Sequence, residues 1–205
     1  MSHQSDRSHH RWVQSHNLPQ PQLKLQPKAQ KEPMFYYFAY GSCMCPVDLK
    51  RSLGENTHDY IIGPAVLKGY RLGFYSYSPT RKCGVLDVLP DDQAHVKGVL
   101  YQLPWRLSGN LDKREGVSQS LYRRETVEIH CQNNVYKNTR TYIVVDKLPE
   151  ELAPNDWYSS VVLRGAVTCG LPEEYCWSLF EHMYKLQQRS QEHLIQAAEK
   201  ALLRA

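Results

Sequence analysis

A short stretch near residue 40 combines the residue types from which an anion-binding or oxyanion-binding loop is built. The apolar and aromatic run Met34–Tyr40 stops at Gly41-Ser42, and Pro46 then opens a short helical pattern that extends to Leu53. Such a run predicts a buried strand, and proline fits the first position of a helix. Strand, glycine turn and helix start aim backbone N–H groups at one point, where an anion or a developing oxyanion can bind. A tight turn without chemistry would have the same pattern.

Cys43 adds a second chemistry to this loop, because a thiolate beside an oxyanion hole can form an acyl-enzyme. Such a thiolate needs a base close to it. The sequence does not pair Cys43 with any of the histidines that are candidates by type, which are His58, His95, His130 and His182. Cys43 is otherwise simply a small loop residue.

A single glutamate, Glu115, is the candidate acid or base. The segment Ser108–Glu115 begins with good capping residues and stops at Gly116, which predicts a short helix. Glu115 falls in the last turn, where the helix macrodipole disfavours an anion. A functional carboxylate and an ordinary surface glutamate both fit this position.

The bulk composition predicts one globular domain with a tail. The chain has 205 residues, 41% of them hydrophobic, and a net charge of +4 with lysine and arginine spread along it, which does not indicate a nucleic-acid groove. No segment approaches the ~20 consecutive apolar residues of a membrane span, and the N-terminus has no apolar stretch typical of a secretory signal. Six scattered cysteines without a CxxC pair are typical of free thiols, so we expect a cytoplasmic protein without a metal site.

Residues 1–33 differ in composition from the rest of the chain and predict a disordered polar tail. Glutamine, histidine, serine, lysine and proline dominate there, so this segment cannot bury enough surface to offset its ordering entropy. Four histidines in it are expected to be solvated rather than to bind a metal; they are His3, His9, His10 and His16. The domain is therefore predicted to span 34–205.

Short apolar or alternating segments separated by turn residues predict a small, strongly curved sheet or barrel. These segments are Tyr60–Ile62, Ala65–Leu67, Arg71–Tyr77, Cys83–Leu89, Val96–Leu103, Thr126–His130 and Arg140–Val145. Beyond Pro172 the chain has helical periodicity without glycine or proline. Its aromatic stripe is expected to pack in the core; it comprises Trp177, Phe180, Met183 and Tyr184.

Three elements, in this order and spacing, resemble the γ-glutamylcyclotransferase family. Residues Tyr37–Ser42 resemble its substrate loop. Residues Leu111–Val117, followed by Tyr122, resemble its segment with the catalytic glutamate. Tyr158, followed by Gly170-Leu171-Pro172 and Glu174-Tyr175, resembles its C-terminal substrate-contacting segment and the helix after it.

The resemblance, which covers about residues 34–180, implies an α+β fold: a small mixed β-barrel flanked by helices, with a long C-terminal helix. It makes Glu115 the general base or acid, and it makes Tyr122 and Tyr158 substrate-contacting hydroxyls. The loop would hold the glutamyl head of the substrate largely through backbone amides; its residues are Tyr37, Phe38, Ala39, Tyr40, Gly41, Ser42 and Cys43. The implied reaction is attack of the α-amine of a γ-glutamyl compound on its own γ-carbonyl, without a cofactor. It releases 5-oxoproline and an amino acid or amine.

Cys43 is the one departure, since the family usually has asparagine there. If that asparagine only stabilises the loop, cysteine can replace it with a modest loss of activity. If it contacts the substrate, the substrate specificity of this chain differs from that of the family. Two alternatives stay open: a non-catalytic module that binds a small ligand or a protein in the same pocket, and a Cys43-dependent amide hydrolase or acyltransferase. The expected partners are a γ-glutamyl small molecule, glutathione among the candidates, and a second copy in a homodimer, but neither nucleic acid nor membrane.

Overall fold

A computed structural model describes residues 32–202 of the chain. The predicted polar tail, residues 1–33, lies outside the described residues except for its last two positions. Within the described range, no helix is both long enough and apolar enough to cross a membrane. The same range contains no group of three or more metal-ligating side chains arranged around a common point.

Five strands close into a barrel, and this confirms the predicted architecture. Their bounds are Met34–Ala39 for β1, Ile61–Ser78 for β2, Cys83–Pro104 for β3, Tyr122–Cys131 for β4 and Asn134–Val144 for β5. The strand order is β1-β3-β2-β4-β5. β1 and β5 pair in parallel while the other neighbours are antiparallel, so the barrel is mixed.

β2 and β3 are each continuous, whereas the sequence predicted two or more short strands in each region. Three register shifts interrupt their pairing, and each shift lies beside a glycine of β2: Gly63, Gly69 or Gly73. Pro90, which was expected to separate two strands, pairs with Tyr70 at the second shift. A β-bulge bends a strand without ending it, so turn residues fall within these strands.

Four helices flank the barrel. They are α1 Pro46–Leu53, α2 Ser108–Arg114, α3 Asp156–Thr168 and α4 Glu173–Leu202. The sequence predicted α1, α2 and α4 but missed α3. The start of α3 carries a capping signal from which the helix could have been predicted. The Asn155 side chain accepts a hydrogen bond from Tyr158 N at 2.8 Å, and an aspartate follows.

The prediction that the aromatic stripe of α4 packs in the core was wrong for three of its four residues. Trp177, Phe180 and Tyr184 are 58%, 42% and 51% exposed. The buried face of the helix is instead aliphatic and includes Leu179, Met183 and Leu186. Because these side chains already fill the contact with the domain, the aromatic rings lie on the neighbouring face and pack against one another.

α3 and the barrel together fix the turn that follows β1. This turn is a short 3-10 helix, Ser42–Met44. Tyr101 Oη and Cys169 Sγ donate to Met44 O at 3.0 and 3.3 Å. Gly165 of α3 packs so closely that a Cβ there would lie 2.5 Å from Cys45 N. The candidate loop is therefore held rigidly on both sides.

Candidate active site

The candidate loop, Glu115 and two of the predicted tyrosines surround one cavity of about 400 Å³. This volume is within the range of small-molecule sites. Eight of the ten residues predicted from the sequence line it: Tyr37, Tyr40, Gly41, Ser42, Cys43, Glu115, Tyr122 and Tyr158.

Phe38 and Ala39, which the sequence placed in the substrate loop, do not line this cavity. Their side chains are 0% and 1% exposed within the core. Thr141 Oγ1 donates to Phe38 O at 3.0 Å, so this carbonyl serves the barrel instead. β1 continues through both residues, and the loop proper begins only after the strand ends.

Backbone amides at the start of the 3-10 turn have no acceptor in the described part of the chain. Met44 N donates to Gly41 O at 2.9 Å and Cys45 N to Ser42 O at 3.1 Å. The amides of Ser42 and Cys43 find no such acceptor within residues 32–202. A Cβ at Gly41 would lie 3.2 Å from the hydroxyl oxygen of Tyr158, so glycine allows their close approach. Two N–H donors therefore remain for a ligand at the cavity wall.

Glu115 lies across from this turn at the end of α2. Its amide donates to Leu111 O at 3.0 Å, which makes Glu115 the C-cap residue, and its side chain is 14% exposed. Gly116 adopts φ +65°, which turns the chain away from the helix axis. Cys43 Sγ donates to Glu115 Oε1 at 3.0 Å. The carboxylate thus contacts the loop that was predicted to hold the substrate.

Arg114 ties the loop, α1 and the glutamate together. Its Nη2 donates to Asp48 Oδ2 at 2.6 Å and to Ser42 Oγ at 3.1 Å. Its Nε donates to Cys43 Sγ at 2.9 Å, while Nη1 donates to Ser52 Oγ. Burial lowers the pKa of Arg114, but the neighbouring Cys43, Glu115 and Asp48 outweigh it and raise the pKa well above the ordinary value. The guanidinium stays charged.

Among Tyr40, Tyr122 and Tyr158, Tyr158 has the hydroxyl proton that is free for a ligand. Its oxygen accepts from Leu86 N at 3.0 Å and donates to no acceptor in the described range. Tyr122 Oη instead donates to Leu86 O at 3.2 Å, and Tyr40 Oη donates to Tyr142 O at 2.6 Å. Burial raises the pKa of all three tyrosines, so each hydroxyl is neutral near pH 7.

Comparisons of sequence and of structure with known proteins agree on one family. Residues 95–179 match the AIG2-like family. Over 151 residues the chain is 35% identical to the Bacillus subtilis (strain 168) protein named "Putative gamma-glutamylcyclotransferase YkqA", covering 74% of this chain and 53% of that protein. The crystal structure of YkqA aligns with a TM-score of 0.68 at 34% identity, over 74% of this chain and 54% of YkqA. The chain is therefore similar to proteins of the AIG2-like, γ-glutamylcyclotransferase family.

A mouse relative extends this relationship to a protein of similar size. The Mus musculus protein named "Gamma-glutamylcyclotransferase" is 25% identical over 150 residues, which cover 71% of this chain and 77% of that protein. The chain spans about half the length of YkqA. The family resemblance drawn from the three sequence elements is thereby confirmed.

The surroundings of Cys43, where the resemblance implies an asparagine, do not favour a nucleophile. Burial raises the pKa of Cys43 to about 12, although the Arg114 guanidinium beside it acts in the opposite direction. No histidine lines the cavity in the part of the chain that the structure describes. Within the described range the only carboxylate that lines the cavity is that of Glu115, and the thiol donates a hydrogen bond to it at 3.0 Å. Cys43 therefore acts as a hydrogen-bond donor to Glu115.

Iodoacetamide near neutral pH is expected to leave Cys43 unmodified in the folded protein. Because burial raises the pKa of Cys43 to about 12, almost all of this thiol stays protonated at pH 7. Peptide mass spectrometry measures the extent of labelling at Cys43, and the urea-unfolded protein, in which all six cysteines should react, is the control. Rapid labelling of Cys43 together with loss of activity would instead support the thiol nucleophile.

Proposed function

We propose that this chain is a γ-glutamyl cyclotransferase. The observation that carries the proposal is the position of Glu115, which is the only acidic residue lining the cavity within the described range. It contacts the loop whose Ser42 and Cys43 amides lack acceptors. A base beside an oxyanion site is what the intramolecular attack of an amine on an amide carbonyl requires.

Proton transfer is assigned to Glu115. The α-ammonium group of a γ-glutamyl compound cannot attack until it loses a proton, which Glu115 accepts. The amine nitrogen then bonds to the γ-carbon, and the γ-amide C–N bond breaks as protonated Glu115 returns its proton to the leaving nitrogen. The ring nitrogen gives up its second proton to the regenerated carboxylate, which passes it to the released amine. The products are 5-oxoproline and a free amine or amino acid. The thiol of Cys43 and the guanidinium of Arg114 hold the carboxylate in place on one side.

Donors for the tetrahedral oxyanion are the Ser42 and Cys43 amides and the hydroxyl of Tyr158. Losing one such donor typically costs about 3–4 kcal/mol of transition-state stabilisation. Holding the substrate chain folded back on itself lowers the activation barrier further, since well-oriented intramolecular reactions gain on the order of 7–11 kcal/mol. A cavity of about 400 Å³ with a rigid loop is suited to this task.

The remaining assignments follow from this proposal. The substrate is a γ-glutamyl small molecule, no cofactor is required, and the domain is taken as 34–205. A cytoplasmic location is proposed because all six cysteines are free thiols. A homodimer stays a prediction.

Release of 5-oxoproline from a panel of γ-glutamyl compounds tests the function. The panel contains glutathione, γ-glutamyl amino acids and γ-glutamyl amines, and mass spectrometry quantifies 5-oxoproline and the leaving group. We expect turnover of at least one compound, and the best substrate identifies the leaving group. If the folded protein releases 5-oxoproline from none of them but binds it tightly in calorimetry, the chain is the non-catalytic binding module.

A further inference from the structure

Arg81, which the sequence analysis did not single out, reaches into the cavity from the turn between β2 and β3. Its Nη1 donates to Ser42 Oγ at 3.0 Å, and its Nη2 lies 3.5 Å from Asp48 Oδ2. The guanidinium lies 5.2 Å from the centre of the Tyr158 ring, and Asn155 Nδ2 donates to Arg81 O at 2.8 Å. Its side chain is 23% exposed. Backbone and side chain are therefore both held in position.

Arg81 has hydrogen-bond donors to spare, whereas Arg114 does not. Each nitrogen of the Arg114 guanidinium donates to the protein. A guanidinium has five N–H donors, and Arg81 directs only two of them to partners within residues 32–202. Since Arg81 lines the cavity, its remaining donors are available to a ligand there.

The charges around Asp48 also favour the binding of an anion beside Arg81. The Asp48 carboxylate, 5% exposed, is shared by Arg114 and Arg81. Glu115 lies 3.7 Å from Arg114 Nε, whereas within the described residues Arg81 has only Asp48, which it shares with Arg114 beside Ser42. Desolvated charge of this kind is stabilised by an anion that accepts its hydrogen bonds.

We propose that Arg81 binds the α-carboxylate of the γ-glutamyl substrate. This inference rests on the proposed function, since the substrate carries its ammonium and its carboxylate on the same carbon. Arg114 contacts Ser42 Oγ at 3.1 Å and Glu115 Oε1 at 3.7 Å, so one guanidinium joins these two positions. An ammonium at Glu115 therefore places the carboxylate toward Ser42 and Arg81. Arg81 thereby selects γ-glutamyl groups over other γ-amino acyl groups.

A pair of substrates that differ only in the α-carboxylate isolates this contact. The first is the best γ-glutamyl compound, and the second is its 4-aminobutyryl analogue, which would cyclise to 2-pyrrolidinone. Arg81→Met is expected to lower kcat/KM for the first about 10- to 100-fold more than for the analogue, mainly through KM. Arg81→Lys should lower kcat/KM for the γ-glutamyl compound by a smaller factor. Arg71→Met is the matched control, because Arg71 also lies over a tyrosine ring but does not line the cavity.

Binding of the two products gives a readout that does not depend on turnover. Calorimetry should show that Arg81→Met weakens 5-oxoproline about 10- to 100-fold and leaves 2-pyrrolidinone unaffected. The assignment is overturned if Arg81→Met lowers kcat/KM equally for both substrates or weakens binding equally for both products. Arg81 would then only stabilise the loop. If the wild type turns over no γ-glutamyl compound but still binds 5-oxoproline through Arg81, the proposed function fails and the carboxylate site stands.

Discussion

Glu115→Gln is expected to lower kcat for 5-oxoproline release by about 10²–10⁴-fold, the usual contribution of a positioned general base. Glutamine has the size of glutamate, and its carbonyl oxygen can still accept the Cys43 hydrogen bond, which is 3.0 Å long in the wild type. It cannot accept the proton of the substrate ammonium. KM should change little, because the loop amides and Arg81, which we propose to bind the glutamyl head, are left intact.

Steady-state kinetics on the best substrate of the panel measure this loss. Glu174→Gln is the control, since Glu174 has the same chemistry, is 76% exposed and lies outside the cavity. Both variants should unfold thermally within a few degrees of the wild type. Undiminished turnover by Glu115→Gln would remove Glu115 from the proton-transfer step, whatever the substrate proves to be.

Local sequence patterns located the loop and the glutamate but not the residues that hold them. Gly41, Ser42 and Glu115 stand at a strand end and a helix end, and such boundaries are visible in the order of residue types. Asp48 contacts Arg114 from 66 positions away. No periodicity within one element indicates such a pairing, because it depends on how α1 and α2 pack together.

The barrel was predictable as a class, while its strand lengths and closure were not. Alternation and turn residues identified strand-forming segments, but the bulges beside Gly63 and Gly69 join segments that the sequence separates. Closure depends on a parallel contact between Tyr37 and Arg140. That pairing joins strands distant in the chain, so it follows from the whole topology rather than from either segment.

Asp48→Asn is expected to lower the free energy of unfolding by about 3–5 kcal/mol. The asparagine leaves Arg114 and Arg81 without their shared anion, in a position where the wild-type carboxylate is only 5% exposed. Removing one partner of a buried ion pair is costly because the other charge stays desolvated. Ser42 accepts hydrogen bonds from both arginines, so the loop should also lose its fixed position and kcat should fall.

Urea unfolding measures the stability loss, and a double-mutant cycle identifies its cause. If the stability loss of Asp48→Asn comes from uncompensated cations, the double variant with Arg114→Met should lose clearly less free energy of unfolding than the two single variants together. Glu181→Gln is the control, because it breaks an ion pair with Lys185 whose partners are 64% and 66% exposed, and it should change stability by no more than about 0.5 kcal/mol. Strict additivity in the cycle would mean that Asp48 stabilises α1 by itself, and Arg114 would then depend on Cys43 and Ser52 for its position.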